Sequence, residues 1–364
     1  MHADQVELHI GGRAQAGWTQ YDIDSSLLVA ADGWSVLLAT SELQLPAEVV
    51  PGAPVTVRVG GEVVLQGSLD ELEHSVEKAG HLLRLQGRDG AGVLIDCSAP
   101  IFTTQELTLA QVITKIVRPL GVTRIRIDAD TQLLRDRVST EPGDSAWEML
   151  RRAAEANGLW PWFEPDGTLV IGGPDYSTAP VARLALRRDG TGNVLALSER
   201  RSISERHSEL TVLGQAHASG STEGRHNVRA VLRDTGVSVY RPRVVVDHEA
   251  TTTVVAQARG EKVISDARVN SYGLQLRLAG HRTDGGVLWS AGQRVHLVSE
   301  PHGLDAVFFV MARRFSLDRR NGQTTTLTLV EDGVWALYAH PSRRKHRRGK
   351  NSLPGRIIDV KEVG

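Results

Sequence analysis

One stretch of this chain occurs twice in related form, and that duplication limits the folds open to it. PGAPVTVRV, over residues 51–59, resembles SAGQRVHLV, over 290–298: Gly52 matches Gly292, Val55 matches Val295, and Val57 matches Leu297. Each copy leads into a second strand, a polar loop and a strand carrying Leu-x-Leu, first Leu83 with Leu85 and then Leu327 with Leu329. An Asp-Gly pair closes each copy, Asp89-Gly90 and Asp332-Gly333. A unit repeated at this length is one supersecondary module used twice.

The module reads as β. Val6, Leu8 and Ile10 alternate with polar residues, as do Trp34, Val36 and Leu38, then Val55, Val57 and Val59, with Gly11-Gly12 and Gly60-Gly61 as turns. Short alternating runs with glycine turns predict a small antiparallel barrel or sandwich. The period then changes. Leu109, Val112, Ile113, Ile116, Val117 and Leu120 form a helical stripe, with Thr108 and Gln111 as a capping box and Pro119 with Gly121 at its end. A second helix starts at Ser145 with Glu148, buries Trp147, Leu150 and Ala154, and stops at Asn157-Gly158. Residues 159–163 and 168–171 flank Glu164-Pro165-Asp166-Gly167 as a hairpin.

Short strands return from 181 to 247, and Thr253 caps a helix that carries Val254, Val255, Ala258, Val263 and Ile264, with Gly260 in its middle. The predicted fold is mainly β with an α+β insertion: two related small β-barrel domains separated by an α+β domain. The predicted boundaries are a first barrel over 1–91, the insertion over 92–180, a linking β segment over 181–250, a second barrel over 251–338, and a basic tail over 339–364.

Charge is distributed unevenly. The 364 residues carry a net charge of −1, but residues 341–350, PSRRKHRRGK, hold six basic residues and no acid. The remainder has 36 basic against 43 acidic residues. Arg343, Arg344, Lys345, Arg347, Arg348 and Lys350 are therefore the candidate partner-binding residues, read as a solvated arm that reaches a neighbouring protein or a nucleic acid. The one cysteine, Cys97, excludes an internal disulfide framework and zinc sites built on paired cysteines. No apolar run approaches the ~18 residues of a bilayer span, and the N-terminus lacks the basic start and apolar core of a signal peptide. The expectation is a soluble chain made in a reducing compartment.

Catalytic signatures are absent: there is no Gly-x-Ser-x-Gly elbow, phosphate loop or His-Glu-x-x-His. The residual candidates each have a plainer reading. Cys97 beside Leu94 and Ile95 reads as a packed thiol, and Asp128-Ala-Asp130 and Asp247-His248-Glu249 read as exposed turns. His296, Glu300 and His302 lack a third histidine for a metal. Glu141 and Glu164 with Asp166 lie near tryptophans and are the least implausible candidates for a glycosidase's two carboxylates, but read more simply as acidic residues at turns. Trp160 and Trp162 read as packing against the preceding helix rather than as a sugar platform. No enzyme, cofactor or metal is predicted.

Three stretches, taken in order, resemble a known family. They are LRLQGRDGAGVLIDC (83–97), with a helix start at Leu94-Ile95-Asp96-Cys97; GDSAWEMLRRAAEANGLWPWFEPDGTLVIG (143–172); and residues 280–330, with Trp289-Ser-Ala-Gly, Ala312-Arg-Arg-Phe-Ser-Leu-Asp and Thr324-Thr-Thr-Leu-Thr-Leu-Val. They are similar to the baseplate hub proteins of Mu-type tailed bacteriophages, and more distantly to the late control D family and the base of type VI secretion spikes. The resemblance implies two related barrels per subunit and a homotrimer whose six barrels form a pseudo-sixfold ring. Such a ring joins the sixfold tail tube to the threefold central spike and lets DNA pass without specific binding. The implied partners are the chain itself, the tail tube or distal tail protein, the spike and other baseplate proteins. The implied location is the virion, after synthesis in the host cytoplasm, with no membrane insertion. A tail-associated peptidoglycan hydrolase, or a carbohydrate- or nucleic-acid-binding β protein, remains an alternative.

Overall fold

The computed structural model describes residues 4–40, 46–78, 80–102, 107–128, 143–155, 157–215, 227–247, 250, 252–335, 337 and 356–359. Glu141, Asp130, His248, Glu249 and all of the basic residues from Arg343 to Lys350 lie outside this set. The first half contains β1 (Val6–Ile10), β2 (Arg13–Gln15), β3 (Gln20–Ser26), β4 (Gly33–Thr40), β5 (Pro54–Val59), β6 (Glu62–Glu77) and β7 (Gly80–Asp89). Alternation places Val6, Leu8, Ile10, Val55, Val57 and Val59 in one core.

The insertion follows as α1 (Ala91–Asp96), α2 (Leu109–Val117), β8 (Arg124–Ile127), α3 (Ala146–Glu155), β9 (Trp160–Phe163) and β10 (Leu169–Gly172). Both expected capping boxes form. Thr108 Oγ1 accepts from Gln111 N at 3.2 Å while Gln111 Oε1 accepts from Thr108 N at 2.9 Å. Ser145 Oγ accepts from Glu148 N at 3.2 Å, and Glu148 Oε2 accepts from Ser145 N at 3.0 Å. The helices pack their apolar stripes together and onto Ile125, Phe163, Leu169 and Ile171. Leu94 to Cys97 closes α1 rather than opening a helix, because the Asp89 carboxylate accepts the amide of Ala91 and starts the turn earlier. Cys97 is half-buried at the end of α1 rather than fully packed.

The remaining elements are β11 (Ala182–Leu186), β12 (Val194–Arg201), β13 (Glu209–Gln215), β14 (Asn227–Arg233), β15 (Pro242–Val246), α4 (Thr253–Ser271), β16 (Tyr272–Ala279), β17 (Arg294–Ser299), β18 (Leu304–Asp318), β19 (Gly322–Glu331) and β20 (Arg356–Asp359). β13, β14 and β15 form a separate three-stranded sheet. α4 covers it, with Ala256 packed among Leu210, Val212, Val228 and Ala230. Thr252, not Thr253, caps α4, its Oγ1 accepting from Val255 N at 3.3 Å. The helix runs through Gly260 as expected: a Cβ there would strike the tip of Leu232, so its absence lets α4 sit close on β14. β20 adds antiparallel to β8 at the edge of the insertion's sheet.

The two β halves share one strand order. It is β1-β5-β6-β7-β4-β3 in the first and β11-β17-β18-β19-β16-β12 in the second. Gly52 N donates to Leu69 O at 2.7 Å and Gly292 N to Val310 O at 2.8 Å, and both glycines have φ of +87°. The register shifts immediately beyond these acceptors in each long strand, between Leu69 and Glu71 and between Val310 and Ala312. The repeat is thus a duplicated fold, with one correction to its alignment. Leu85 pairs with Leu72 and Leu327 with Arg313, which makes Leu85 the counterpart of Leu327, not of Leu329, and Asp89 that of Glu331. The halves differ at one end, since β1 joins β5 antiparallel and β11 joins β17 parallel.

The expected pair of separate closed barrels is not found among the described residues. β3 does not return to its own half but hydrogen bonds to β18, so both halves run as one 13-stranded sheet. Apolar residues of both, from Leu8 and Val57 to Leu276 and Phe315, lie in a single core cluster. β6 and β7 approach closely at Gly67 and Gly87, where any side chain at Gly87 would collide with the Ser68 carbonyl oxygen and the Trp34 ring. Gly87→Ala is expected to lower stability by about 1–3 kcal/mol, the usual cost of overpacking. Chemical denaturation measures it, and an unchanged midpoint would mean that the two strands move apart freely.

Candidate functional site: the junction between the two β halves

Among the described residues, the strand pairing that joins the two β halves is that of β3 with the second part of β18, Ser26 opposite Ala312 through Tyr21 opposite Leu317. Three groups of side chains hold it. On the exposed face, Arg314 Nε donates to Asp22 Oδ1 at 2.8 Å, and Ser316 Oγ donates to the same oxygen at 2.8 Å.

On the inner face, Arg313 is 3% exposed. Its guanidinium lies 4.1 Å over the Phe315 ring, and Nη1 donates to Ile23 O at 3.1 Å. Burial pulls its pKa down to about 10, against the pull of Asp32 and Asp24. Burial pushes the Asp32 carboxyl up to about 6, although Ser26 N donates to it at 2.8 Å and Arg313 favours its charge. Asp89 is raised well above the usual carboxylate range by burial and by Asp32. Its Oδ1 accepts from Ala91 N at 2.9 Å, so this acidic pair reaches the start of the insertion.

At the strand end, His281 is 1% exposed and its ring sits 4.4 Å from that of Phe315. The Thr325 hydroxyl donates to Gly280 O, which leaves its oxygen to accept from His281 Nδ1 at 3.2 Å. Nε2 is then the acceptor for the Tyr21 hydroxyl at 2.7 Å, and Tyr21 accepts from Gln323 Nε2 at 3.0 Å. This chain requires neutral His281, and burial lowers its pKa to about 4. Arg282 completes the seam, with Nε donating to Asp4 Oδ2 at 2.9 Å and Nη1 to Glu62 Oε1 at 2.5 Å.

None of these residues stands out in sequence reasoning based on catalytic motifs. Arg313 carried one usable signal, a charged residue in the inward phase of a strand whose neighbours in that phase are Phe315 and Leu317. The candidates that did stand out are dispersed. His296 Nε2 meets Asp305 Oδ1 at 2.7 Å, His302 Nδ1 meets Ser299 Oγ at 2.8 Å, and Glu300 accepts from Arg188 N. No cluster of three His, Cys, Asp or Glu residues suits a metal ion among the described residues.

Glu164 accepts from Arg126 Nη2 at 3.1 Å, and Asp166 accepts from Thr168 N within its turn. Trp160 and Trp162 do not pack on the preceding helix. Leu159 and Phe163 occupy that face, and the period of two turns the tryptophans toward Phe309, Met311 and Trp335. Trp162 borders an open cleft of about 380 Å³ where the insertion meets the β halves, lined also by Arg126, Asp128 and Glu164.

Four family models match in series. They are the N-terminal domain of Mu phage baseplate assembly protein GpP-like proteins over residues 5–89, the second domain of baseplate hub protein gp44-like proteins over 91–173, the third domain of tail protein NMB1110-like proteins over 206–264, and the C-terminal domain of that tail protein group over 266–334. The crystal structure of the tail protein from Neisseria meningitidis MC58 is 35% identical, with a TM-score of 0.82, over 93% of this chain and all of that one. The chain belongs to the Mu-type phage baseplate hub family.

The baseplate hub protein gp44 of Escherichia phage Mu is 24% identical to this hub over 97% of the chain and 94% of its own length. The 43 kDa tail protein of prophage MuSo2 from Shewanella oneidensis is 25% identical, with a TM-score of 0.80, over 92% of the hub and all of that chain. A type VI secretion component of E. coli, c3393, shares the fold at 12% identity and a TM-score of 0.58. The hub is a structural tail baseplate protein, and its relatives are structural proteins rather than enzymes. No helix among the described residues is long and apolar enough to cross a membrane.

Proposed function

We propose that this hub forms a homotrimeric ring in which two similar β halves per chain give pseudo-sixfold geometry, joining a sixfold tail tube to a threefold spike and letting DNA pass. The observation that carries this reading is the shared strand order and register of the halves, down to the matched bonds of Gly52 and Gly292. A closed threefold ring of duplicated domains presents six similar units. The exposed face of the sheet suits passage of a polyanion. There Arg88 is tied to Asp70 and Asp96, and Arg314 to Asp22, which leaves those two guanidiniums less free to hold phosphates. Tail tube or distal tail protein, spike and other baseplate proteins are its partners in the virion, after synthesis in the host cytoplasm.

Light scattering on the purified chain, backed by electron microscopy, tests the reading. A particle of about 119 kDa, three copies of 39.6 kDa, with near-sixfold subdomains is expected. A monomer at every concentration, or a stable dimer, would remove it. In the same reading Arg343, Arg344, Lys345, Arg347, Arg348 and Lys350 form an arm outside the lumen that docks on a neighbouring baseplate component. Reversing the charge of the four arginines is expected to lower incorporation into tails about tenfold or more. Normal incorporation would exclude the arm.

A further inference from the structure

The junction between the halves has a counterpart in the chain that is left open. β3 corresponds to β12: Tyr21 pairs with Val36 as Leu197 pairs with Leu276, and Val36 and Leu276 face the matched Leu85 and Leu327. The second part of β18 corresponds to residues 71–76 of β6, since Glu71 and Ala312 each follow the matched register shift. β3 and β18 pair with each other. Their counterparts do not: β12 ends the main sheet beyond β16, and residues 71–76 pair with β7 on one side only, among the described residues. The chain therefore exposes two strand edges built to the same plan as two edges it joins internally. Unpaired edges of this length are templates for another strand.

We infer that β12 of one copy pairs antiparallel with residues 71–76 of the next, in the register of the internal junction. The inference rests on the ring reading above. Transferring the pairs of β3 with β18 sets Glu71 opposite Ser202, Leu72 opposite Arg201, Glu73 opposite Arg200, His74 opposite Glu199, Ser75 opposite Ser198, and Val76 opposite Leu197. The chemistry fits that register. Glu73 meets Arg200 where Asp24 meets Arg314 inside the chain, with the signs exchanged between the strands.

His74 Nε2 is buried without a hydrogen-bond partner, and the register brings the Glu199 carboxylate to it. Val76 is 60% exposed at one end of this edge, and Ile203, 45% exposed, follows β12 at the other. Opposite charges and apolar pairs directly across strands stabilise the pairing, and a one-residue slip would turn every side chain to the wrong face. The contact is head-to-tail and joins different surfaces, the type that closes into rings. Because β12 and β6 lie at opposite ends of β12-β16-β19-β18-β3-β4-β7-β6, each new junction extends one sheet around the ring.

Two sets of variants test the register. In a Cys97→Ser background, Ser75→Cys with Ser198→Cys places thiols at positions whose internal counterparts, Ser316 and Asp22, touch at 2.8 Å. Oxidation is expected to give a disulfide-linked trimer on a non-reducing gel, with each single-cysteine variant remaining unlinked. Separately, Glu73→Arg and Arg200→Glu are each expected to raise the concentration for half-assembly about tenfold or more, and the combined swap to restore it to within about threefold.

All four positions are on open edges, and circular dichroism checks that the variants fold. A trimer by light scattering that neither cross-links nor responds to the swap overturns the pairing and leaves the ring standing. A chain that is monomeric at every concentration removes the ring and the pairing with it.

Discussion

Replacing Arg313 by methionine is expected to cost about 1–3 kcal/mol of stability at pH 8, the range for leaving a buried acceptor, here Ile23 O, without its donor. Methionine fills much of the same space, so the loss is electrostatic. Asp32 is left beside β18 without the favourable charge of Arg313, and the buried Asp89 carboxyl stays next to it. The pH dependence separates this from a packing defect. Asp32 has a folded pKa of about 6, above its ordinary value of 3.8. Its contribution to stability is therefore fully present below 3.8 and is lost as pH rises through 6.

Without Arg313 that loss deepens, so the gap between variant and wild type should widen from pH 5 to pH 8. Comparing the two chains at each pH cancels every other titration. Asp32→Asn added to Arg313→Met should recover much of the loss, because the amide oxygen can still accept from Ser26 N. Guanidinium denaturation at pH 5, 6, 7 and 8 decides it. A gap independent of pH would assign Arg313 to packing alone.

His281 sets the opposite limit. Its folded pKa of about 4 lies below its ordinary value of 6.5. The group's contribution is present above 6.5, begins to fall as the unfolded chain takes up a proton, and is fully lost once pH drops through 4. A gap of this size corresponds to about 3 kcal/mol. The structural cause is specific: Nε2 accepts from the Tyr21 hydroxyl, so a proton there breaks the bond that ties β3 to the end of β16. Acidification should thus loosen the seam between the halves before it disturbs the insertion.

Hydrogen exchange at pH 7 and pH 4.5 is expected to show early loss of protection in β3 and β18, with α2 and α3 unchanged. His281→Gln should be less stable at pH 7 and flatter between pH 7 and pH 4. If it retains the full acid dependence, another group is responsible.

The local chemistry of the insertion was legible in the sequence because its determinants are close in the chain. Thr108 with Gln111, Ser145 with Glu148, and the Pro165-Asp166-Gly167 turn each settle their geometry within a few residues. The repeat was legible for the same reason, since Gly52 and Gly292 each precede a hairpin and bond to its second strand, within about twenty residues. Its alignment slipped by two residues at Leu327, because the phase of a strand fixes which face a side chain takes but not which partner it meets.

What only the tertiary structure decided is the junction. Whether β3 closes its own barrel or crosses to β18 depends on partners roughly 290 residues apart, and nothing within either strand encodes the choice. Asp32 and His281 likewise look like ordinary surface residues until both halves surround them, and Arg313 shows only its inward phase. Burial, not identity, gives them their shifted proton affinities, and burial is a property of the assembled sheet.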